Sequence, residues 1–335
     1  MNNVSGGRFF GTARLLWVCL VLGSPAVLAE WQRDEQDIMG TRVTVELFAA
    51  DANSGREHID SVFAEFRRLD QMMNPWNPSS ELSRINRDAA GDVLVTSPEI
   101  VEVLVRALKY SQMSDGAFDV SFASVGQHYD YRDGKAPSQN QVEEGLDEID
   151  YRAIQLDPER RRIHFLKPGM QLDLGGIAKG YAVDRAVAML YRAGVREAII
   201  SAGGDSRILG GMENRPRTIG IRHPRKDGEY VALIPLADTA ISTSGDYERF
   251  FMDGDVRVHH ILDPVTGKSA DRVQSASVLA PQAIDSDALS TAVFVLGVES
   301  GLALINDLPG VDAIIIDGAG KLHYSDDLLR SVASE

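Results

Sequence analysis

Asp287 and Thr291 stand four residues apart in a run, Ala283 to Leu296, whose apolar positions Ile284, Leu289, Val293 and Leu296 predict a helix. That spacing puts a carboxylate and a hydroxyl on one helix face. Oxygen donors of this kind suit a hard cation such as magnesium, which takes water or phosphate oxygens in its other positions. The pair also has a plainer use. Asp285 and Asp287 can offset the dipole of a helix start, and Thr291 can bond back to the helix backbone.

A second candidate is the stretch Asp173-Leu-Gly-Gly-Ile-Ala-Lys-Gly180, which reads as a strand end, a turn of small residues and a helix start. Free N–H groups and the helix dipole make such a start a cradle for phosphate, and Lys179 adds a charge. The spacing is neither the dinucleotide fingerprint nor the P-loop pattern, so a tight turn is an equal reading. Glu197 to Asp205 repeats the theme: a buried strand ending in Gly203-Gly204, again with an aspartate beside it. Glycine pairs at strand ends fit backbone that approaches a ligand closely. His259 and His260 precede the tight turn Asp263-Pro-Val-Thr-Gly267, where a histidine can hydrogen-bond a substrate or move a proton near neutral pH. No Ser-His-Asp order and no His-x-x-x-His spacing points to a hydrolase triad or a zinc enzyme.

The elements that must hold these residues are mixed. Val43 onward alternates as a strand behind the Met39-Gly40 turn. Gly55 to Met73 carries Ile59, Val62, Phe63, Phe66 and Leu69 at helical spacing, and stops before the proline-rich loop Asn74–Pro78, whose Trp76 is either a plug or a stacking surface. Ser97-Pro98-Glu99 is a helix start: N-cap, proline at the first position, then an acid. The turn Asp115-Gly-Ala-Phe-Asp119 reads first as side-chain capping. Residues 126–140 read as an exposed loop, Ser138 as the cap of a short helix to Leu146, and 153–157 with 162–166 as a hairpin. Further strands are expected near 217–222, 231–236, 275–280 and 311–317, and Ile241 to Asp246 as a hydroxyl-rich turn. Strands and helices do not alternate strictly. The expected class is α+β, mixed sheets with packed helices in a single domain over residues 30–335.

The chain has 335 residues, 44% of them hydrophobic, with 34 basic and 49 acidic side chains for a net charge of −15. Arg8 and Arg14, the apolar run Leu15–Leu22 and the small residues up to Ala29 read as an export signal, residues 1–29, rather than a membrane span. Its removal takes two arginines and no acid, leaving −17, a surface that disfavours nucleic acid and anionic membrane. Cys19 lies inside the signal after Val18, a poor lipid-attachment context, so no stable lipid anchor is expected. The mature chain has no cysteine for a disulfide, a thiol nucleophile or a sulfur-bound zinc. We expect an exported, periplasmic, soluble protein.

Seven segments, in order along nearly the whole mature chain, carry a resemblance. They are Met39-Gly-Thr41, Asp115–Asp119, Asp173–Tyr181, Ser201-Ala-Gly-Gly-Asp205, Ile241–Gly245, His260-Ile-Leu-Asp-Pro-x-Thr-Gly267 and Asp285–Thr291. Together they resemble the FAD:protein FMN transferase family, exported flavin transferases once linked to thiamine synthesis. The resemblance implies that FAD is the donor, with Mg2+ at its pyrophosphate. A target-protein threonine or serine hydroxyl attacks the FMN phosphorus and AMP leaves. It implies Gly176 (through its carbonyl), Asp287 and Thr291 as metal ligands. Met39, Trp76, Ala117, Phe118, Asp119, Asp173, Lys179 and Leu262 are implied as flavin-nucleotide contacts, and His260 with Asp287 as catalytic groups. The implied partners are flavoprotein subunits of electron-transfer or ion-pumping membrane complexes. Two positions depart from the pattern. Val120–Gly126 differs from the run expected after Asp119, and Ser290 stands where some members carry an acid. A magnesium-dependent FAD pyrophosphatase and a non-catalytic flavin carrier are the alternative readings of the same residues.

Overall fold

The computed structural model describes residues 1–2, 29–212 and 215–332; the run read as an export signal lies almost wholly outside them. Thr41–Ala49 is a strand because its alternate residues Val43, Val45, Leu47 and Ala49 are apolar and all turn inward. It pairs with Glu30–Ile38 through the two-residue turn Met39-Gly40, both at positive φ (54° and 66°). That conformation matches the twist of a hairpin and strains a side-chain-bearing residue such as Met39. The Glu30–Ile38 strand was not expected. It sits at the sheet edge with only Ile38 fully buried, so its sequence lacks an apolar alternation.

The central sheet has eight strands: Glu30–Ile38, Thr41–Ala49, Ala198–Ala202, Asp205–Leu209, Ala240–Gly245, Val273–Ala280, Asp312–Asp317 and Leu322–Tyr324. They lie side by side in chain order and every neighbouring pair is antiparallel. Helices Ala52–Met73, Ala178–Arg192 and Ala283–Leu296 pack with one face to form the main core, around Val45, Phe63, Phe66, Val183, Val278 and Phe294. On the other face Ile208, Ile241, Leu279 and Ile314 are covered by the hairpin of Arg217–Arg222 with Tyr230–Leu236. The α+β class holds.

Ile241 to Asp246 is not a turn. Ala240–Gly245 is a strand inside the sheet, between Asp205–Leu209 and Val273–Ala280. Its serines resemble turn chemistry because their partners are distant: Ser242 bonds Ser286 (2.8 Å) and Ser244 bonds Ser290 (2.9 Å), both on helix Ala283–Leu296. The expected hairpin forms as Ile154–Asp157 with Arg162–Phe165, joined by Leu94–Val95. Helices Glu81–Asp88 and Val298–Asn306 are additional to the expected elements. The 126–140 segment is largely exposed, yet Tyr129 and Tyr131 stack on each other (5.5 Å), and Tyr129 is buried with Val125, Val142 and Leu262.

Candidate active site

Two helices cross at the centre of the site. Helix Ala178–Arg192 carries Lys179, and helix Ala283–Leu296, buried on nearly all sides, carries Asp287 and Thr291. Their approach depends on Gly180, where a Cβ would lie 2.2 Å from the Ala283 carbonyl oxygen and 2.8 Å from the Asp287 Cβ. One turn further on, the Asp184 carboxylate accepts the N–H groups of Ala283 and Ile284, both at 2.9 Å. It thereby caps the second helix from the first. Asp285, expected to offset the helix dipole, also takes Arg106 (2.5 Å) and the Tyr110 hydroxyl (2.6 Å).

The anion at the start of the Lys179 helix is a carboxylate of the protein itself. Gly180 N–H donates to Asp287 Oδ2 at 2.9 Å. Lys179 Nζ lies 3.3 and 3.4 Å from the two Asp287 oxygens, 2.7 Å from Asp205 Oδ2, and donates to the Gly175 carbonyl at 2.9 Å. Burial, and then the Asp205 charge, push the Asp287 carboxyl above the usual carboxylate range. Burial alone would lower Lys179, but Asp205 and Asp287 more than reverse this and hold the ammonium charged. Asp173 accepts Gly175 N–H at 2.6 Å, which shapes the glycine turn, and burial raises its carboxyl. Gly176 lies against Thr291 and Phe118: a Cβ there would be 3.5 Å from Thr291 Oγ1 and 3.1 Å from the Phe118 ring.

The two histidines differ. His259 Nε2 sits 2.8 Å from the Ala270 carbonyl, its Nδ1 accepts Ile261 N–H, and its ring meets Phe294 edge-on. It holds the loop together. His260 Nδ1 is buried and has no hydrogen-bond partner among the described residues, and its ring stands edge-on to Tyr131 at 6.5 Å. Burial, then the charge of Arg249, lower the His260 pKa to about 3, so the imidazole is neutral.

Ala117, Phe118 and Asp119 arrive beside Gly176 through Phe118, which is itself part of the core. The Asp119 carboxylate is already committed: Oδ1 accepts Ser121 N–H and hydroxyl, and Oδ2 accepts Tyr151 N–H. It caps the short helical turn Val120–Phe122, as the capping reading of that turn had it. Leu262 is buried with Val125 and Tyr129, next to the histidine turn. Met39 packs partly buried against the main core; its neighbour Gly40 accepts Arg249 through its carbonyl at 2.6 Å, and the Arg249 charge is felt at Asp173 and His260. Trp76 is 68% exposed in its loop, and no described contact ties it to this cluster. Ser290 is buried and donates to the Asp287 carbonyl at 2.9 Å.

Sequence reasoning gave no role to Gly180, Asp184, Asp205, Arg249 or Asn86. Asn86 bonds both the N–H and the carbonyl of Leu172 and so fixes the chain just before Asp173. The usable signals were a glycine inside a helix and an aspartate directly after a glycine pair.

The site would suit a hard cation by its donors: the Asp287 carboxylate, the Thr291 hydroxyl one helical turn away and the neighbouring Gly176 peptide would all offer oxygen. Among the described residues no group of three or more His, Cys, Asp or Glu side chains forms a metal cage, so backbone and hydroxyl oxygens are part of the fit.

Two buried carboxylates around a lysine, a glycine turn at a helix start and a neutral histidine make a built, charged centre of the kind enzymes use. The chain belongs to the ApbE family, whose profile matches residues 39–315. It is 33% identical over 316 residues to the FAD:protein FMN transferase of Treponema pallidum, covering 88% of this chain and 86% of that one. It is 28% identical to the FAD:protein FMN transferase of Klebsiella pneumoniae over 83% of this chain and 87% of that one. Among solved structures, the ApbE protein of Thermotoga maritima superposes with a TM-score of 0.82 at 31% identity, covering 90% of this chain and 99% of that one. The flavin transferase ApbE of Vibrio cholerae gives 0.79 at 26% identity, over 90% and 99%. The family expected from the seven motifs is the family found.

Proposed function

We propose that this chain is an exported FAD:protein FMN transferase that moves FMN from FAD onto a threonine or serine hydroxyl of a target protein. The hydroxyl oxygen forms a bond to the FMN phosphorus, the phosphorus–oxygen bond to AMP breaks, and the hydroxyl proton passes to a base. The observation that carries this reading is the relative named FAD:protein FMN transferase that aligns with 88% of the chain. The gathering of Gly176, Lys179, Asp287 and Thr291 in one place supports it.

Gly176, Asp287 and Thr291 would hold Mg2+, which when bound neutralises and orients the pyrophosphate. Lys179 adds a fixed positive charge beside it. Met39, Ala117, Phe118, Asp119, Asp173 and Leu262 surround the nucleotide, and exposed Trp76 is free to stack on it. His260 is neutral and keeps a ring nitrogen with no partner among the described residues, so it can take the proton as the substrate's negative charge offsets Arg249. The Asp287 carboxylate is the other group able to do so. The targets are flavoprotein subunits of electron-transfer or ion-pumping membrane complexes, and the place of action is the periplasm. Among the described residues no helix is long and apolar enough to cross a membrane.

Incubation of residues 30–335 with FAD, Mg2+ and a target domain should add one FMN to the target by intact mass. Chelator should stop the reaction. Appearance of free FMN and AMP without labelling would identify a pyrophosphatase instead. Tight FAD binding without turnover, indifferent to chelator, would identify a carrier.

A further inference from the structure

Asp205 opens its strand directly after Gly203-Gly204 and is only 3% exposed. The glycine pair is what lets it in. A Cβ on Gly203 would lie 2.5 Å from Thr41 Oγ1, and one on Gly204 would lie 2.6 Å from the Thr243 carbonyl oxygen. The turn is thus pressed against two neighbouring strands, with the carboxylate placed under Lys179. Lys179 is the one ionic partner of Asp205 among the described residues. The ammonium sits 2.7 Å from Asp205 but 3.3 and 3.4 Å from the Asp287 oxygens, so its closest ion pair is with the carboxylate outside the proposed metal set.

A buried ammonium must be paired, and without a second carboxylate it closes on the first. Lys179 closed on Asp287 would compete with any cation that needs the same oxygens. We infer that Asp205 is a positioning residue that draws Lys179 off Asp287, leaving the Asp287 carboxylate available to a divalent cation. This rests on the proposed reading of Asp287 as a metal ligand. It makes a specific claim: Asp205 acts through Lys179, not merely by adding negative charge nearby.

A double-mutant cycle separates the two. Mn2+ affinity is measured by EPR titration of free metal, without nucleotide, on wild type, Asp205→Asn, Lys179→Met and the double variant, each first checked for an unchanged melting transition. Asp205→Asn should weaken Mn2+ binding about tenfold or more while Lys179 is present. With methionine at 179 the same substitution should matter at least fivefold less. Should it weaken binding equally in both backgrounds, Asp205 acts only through space and the inference fails; an unchanged affinity in the single variant also overturns it. Asp287→Asn supplies the separate check on the underlying reading. If wild type binds Mn2+ and that variant binds it equally well, Asp287 is not a ligand and both statements fall. A Lys179-dependent effect that disappears with Asp287→Asn is the supporting result.

Discussion

The two sides of the site solve opposite electrostatic problems. On the helix side two buried carboxylates, one ammonium and the N–H of Gly180 are locked together at 2.7 to 3.4 Å. Behind them lies a ladder of serine hydroxyls from Ser242 to Ser290. On the histidine side the ring of His260 is kept neutral by burial and by a neighbouring arginine, and Nδ1 is left without a partner among the described residues. One side has its charged groups present and in contact before any ligand arrives, with one carboxylate more than ammonium. The other sets a neutral ring beside the charge of Arg249, with a nitrogen that has no partner among the described residues, so its chemistry begins only when an anion arrives. Removing a group from the first side should therefore disturb assembly and binding together, whereas removing one from the second should disturb turnover alone.

The largest break comes from Asp287→Ala, which strips the helix side of its proposed metal oxygen and the partner of Gly180 N–H. Covalent FMN transfer, followed by intact mass of the target, should fall by about a thousandfold or more. Retention of most activity would remove Asp287 from the chemistry. Gly180→Ala tests how tightly that side is packed. With the Ala283 carbonyl 2.2 Å from the new carbon, the two helices must separate, and chemical denaturation should show a loss of about 3 kcal/mol. A stability within 0.5 kcal/mol of wild type, on the order of a neutral surface change, would mean the helix crossing yields easily. His260→Gln sharpens the contrast: transfer should drop roughly a hundredfold, in the range of a lost general base, with Mn2+ affinity unchanged. A matching loss of metal affinity would show that the two sides are not separable.

The smallest effect is on acid stability. The unfolded chain protonates His260 near its ordinary pKa of 6.5, while the folded chain resists until about 3. Between those values the unfolded state binds more protons, so stability is full above about pH 6.5 and drains away as pH falls toward 3. At pH 5 this group accounts for up to about 2 kcal/mol. Urea unfolding of wild type between pH 6.5 and 5 should show that extra loss, and His260→Gln should lack it. Equal slopes for the two proteins would place His260 in a more polar setting than its burial indicates.

Legibility followed how local each residue's partners are. The helix over Ile59, Val62, Phe63, Phe66 and Leu69, and the cap at Ser97-Pro98, could be read because spacing and capping act within one or two turns. The placement of Asp287 and Thr291 on one helix was legible for the same reason. The serine strand Ala240–Gly245 was misread because its hydroxyls are satisfied by a helix more than forty residues on. The edge strand Glu30–Ile38 was missed because a strand with one wet face and one free edge needs few apolar residues. Asp205 was visible only as an aspartate after two glycines. Its ammonium partner, and the meeting of that pair with Asp287 at a separation of 108 residues from Lys179, are products of the tertiary fold.

The order of the strands has a consequence for how the chain reaches this state. Thr41–Ala49 pairs with Ala198–Ala202, so everything from residue 50 to residue 197 must be looped out before that ladder can close. Closing so long a loop costs entropy before any contact compensates for it, and a sheet that depends on it forms slowly. The edge hairpin of Glu30–Ile38 with Thr41–Ala49 needs no such closure and can form first, waiting with its inner strand unpaired. The chain spends that interval with Val43, Val45 and Leu47 uncovered, a window in which self-association competes with folding.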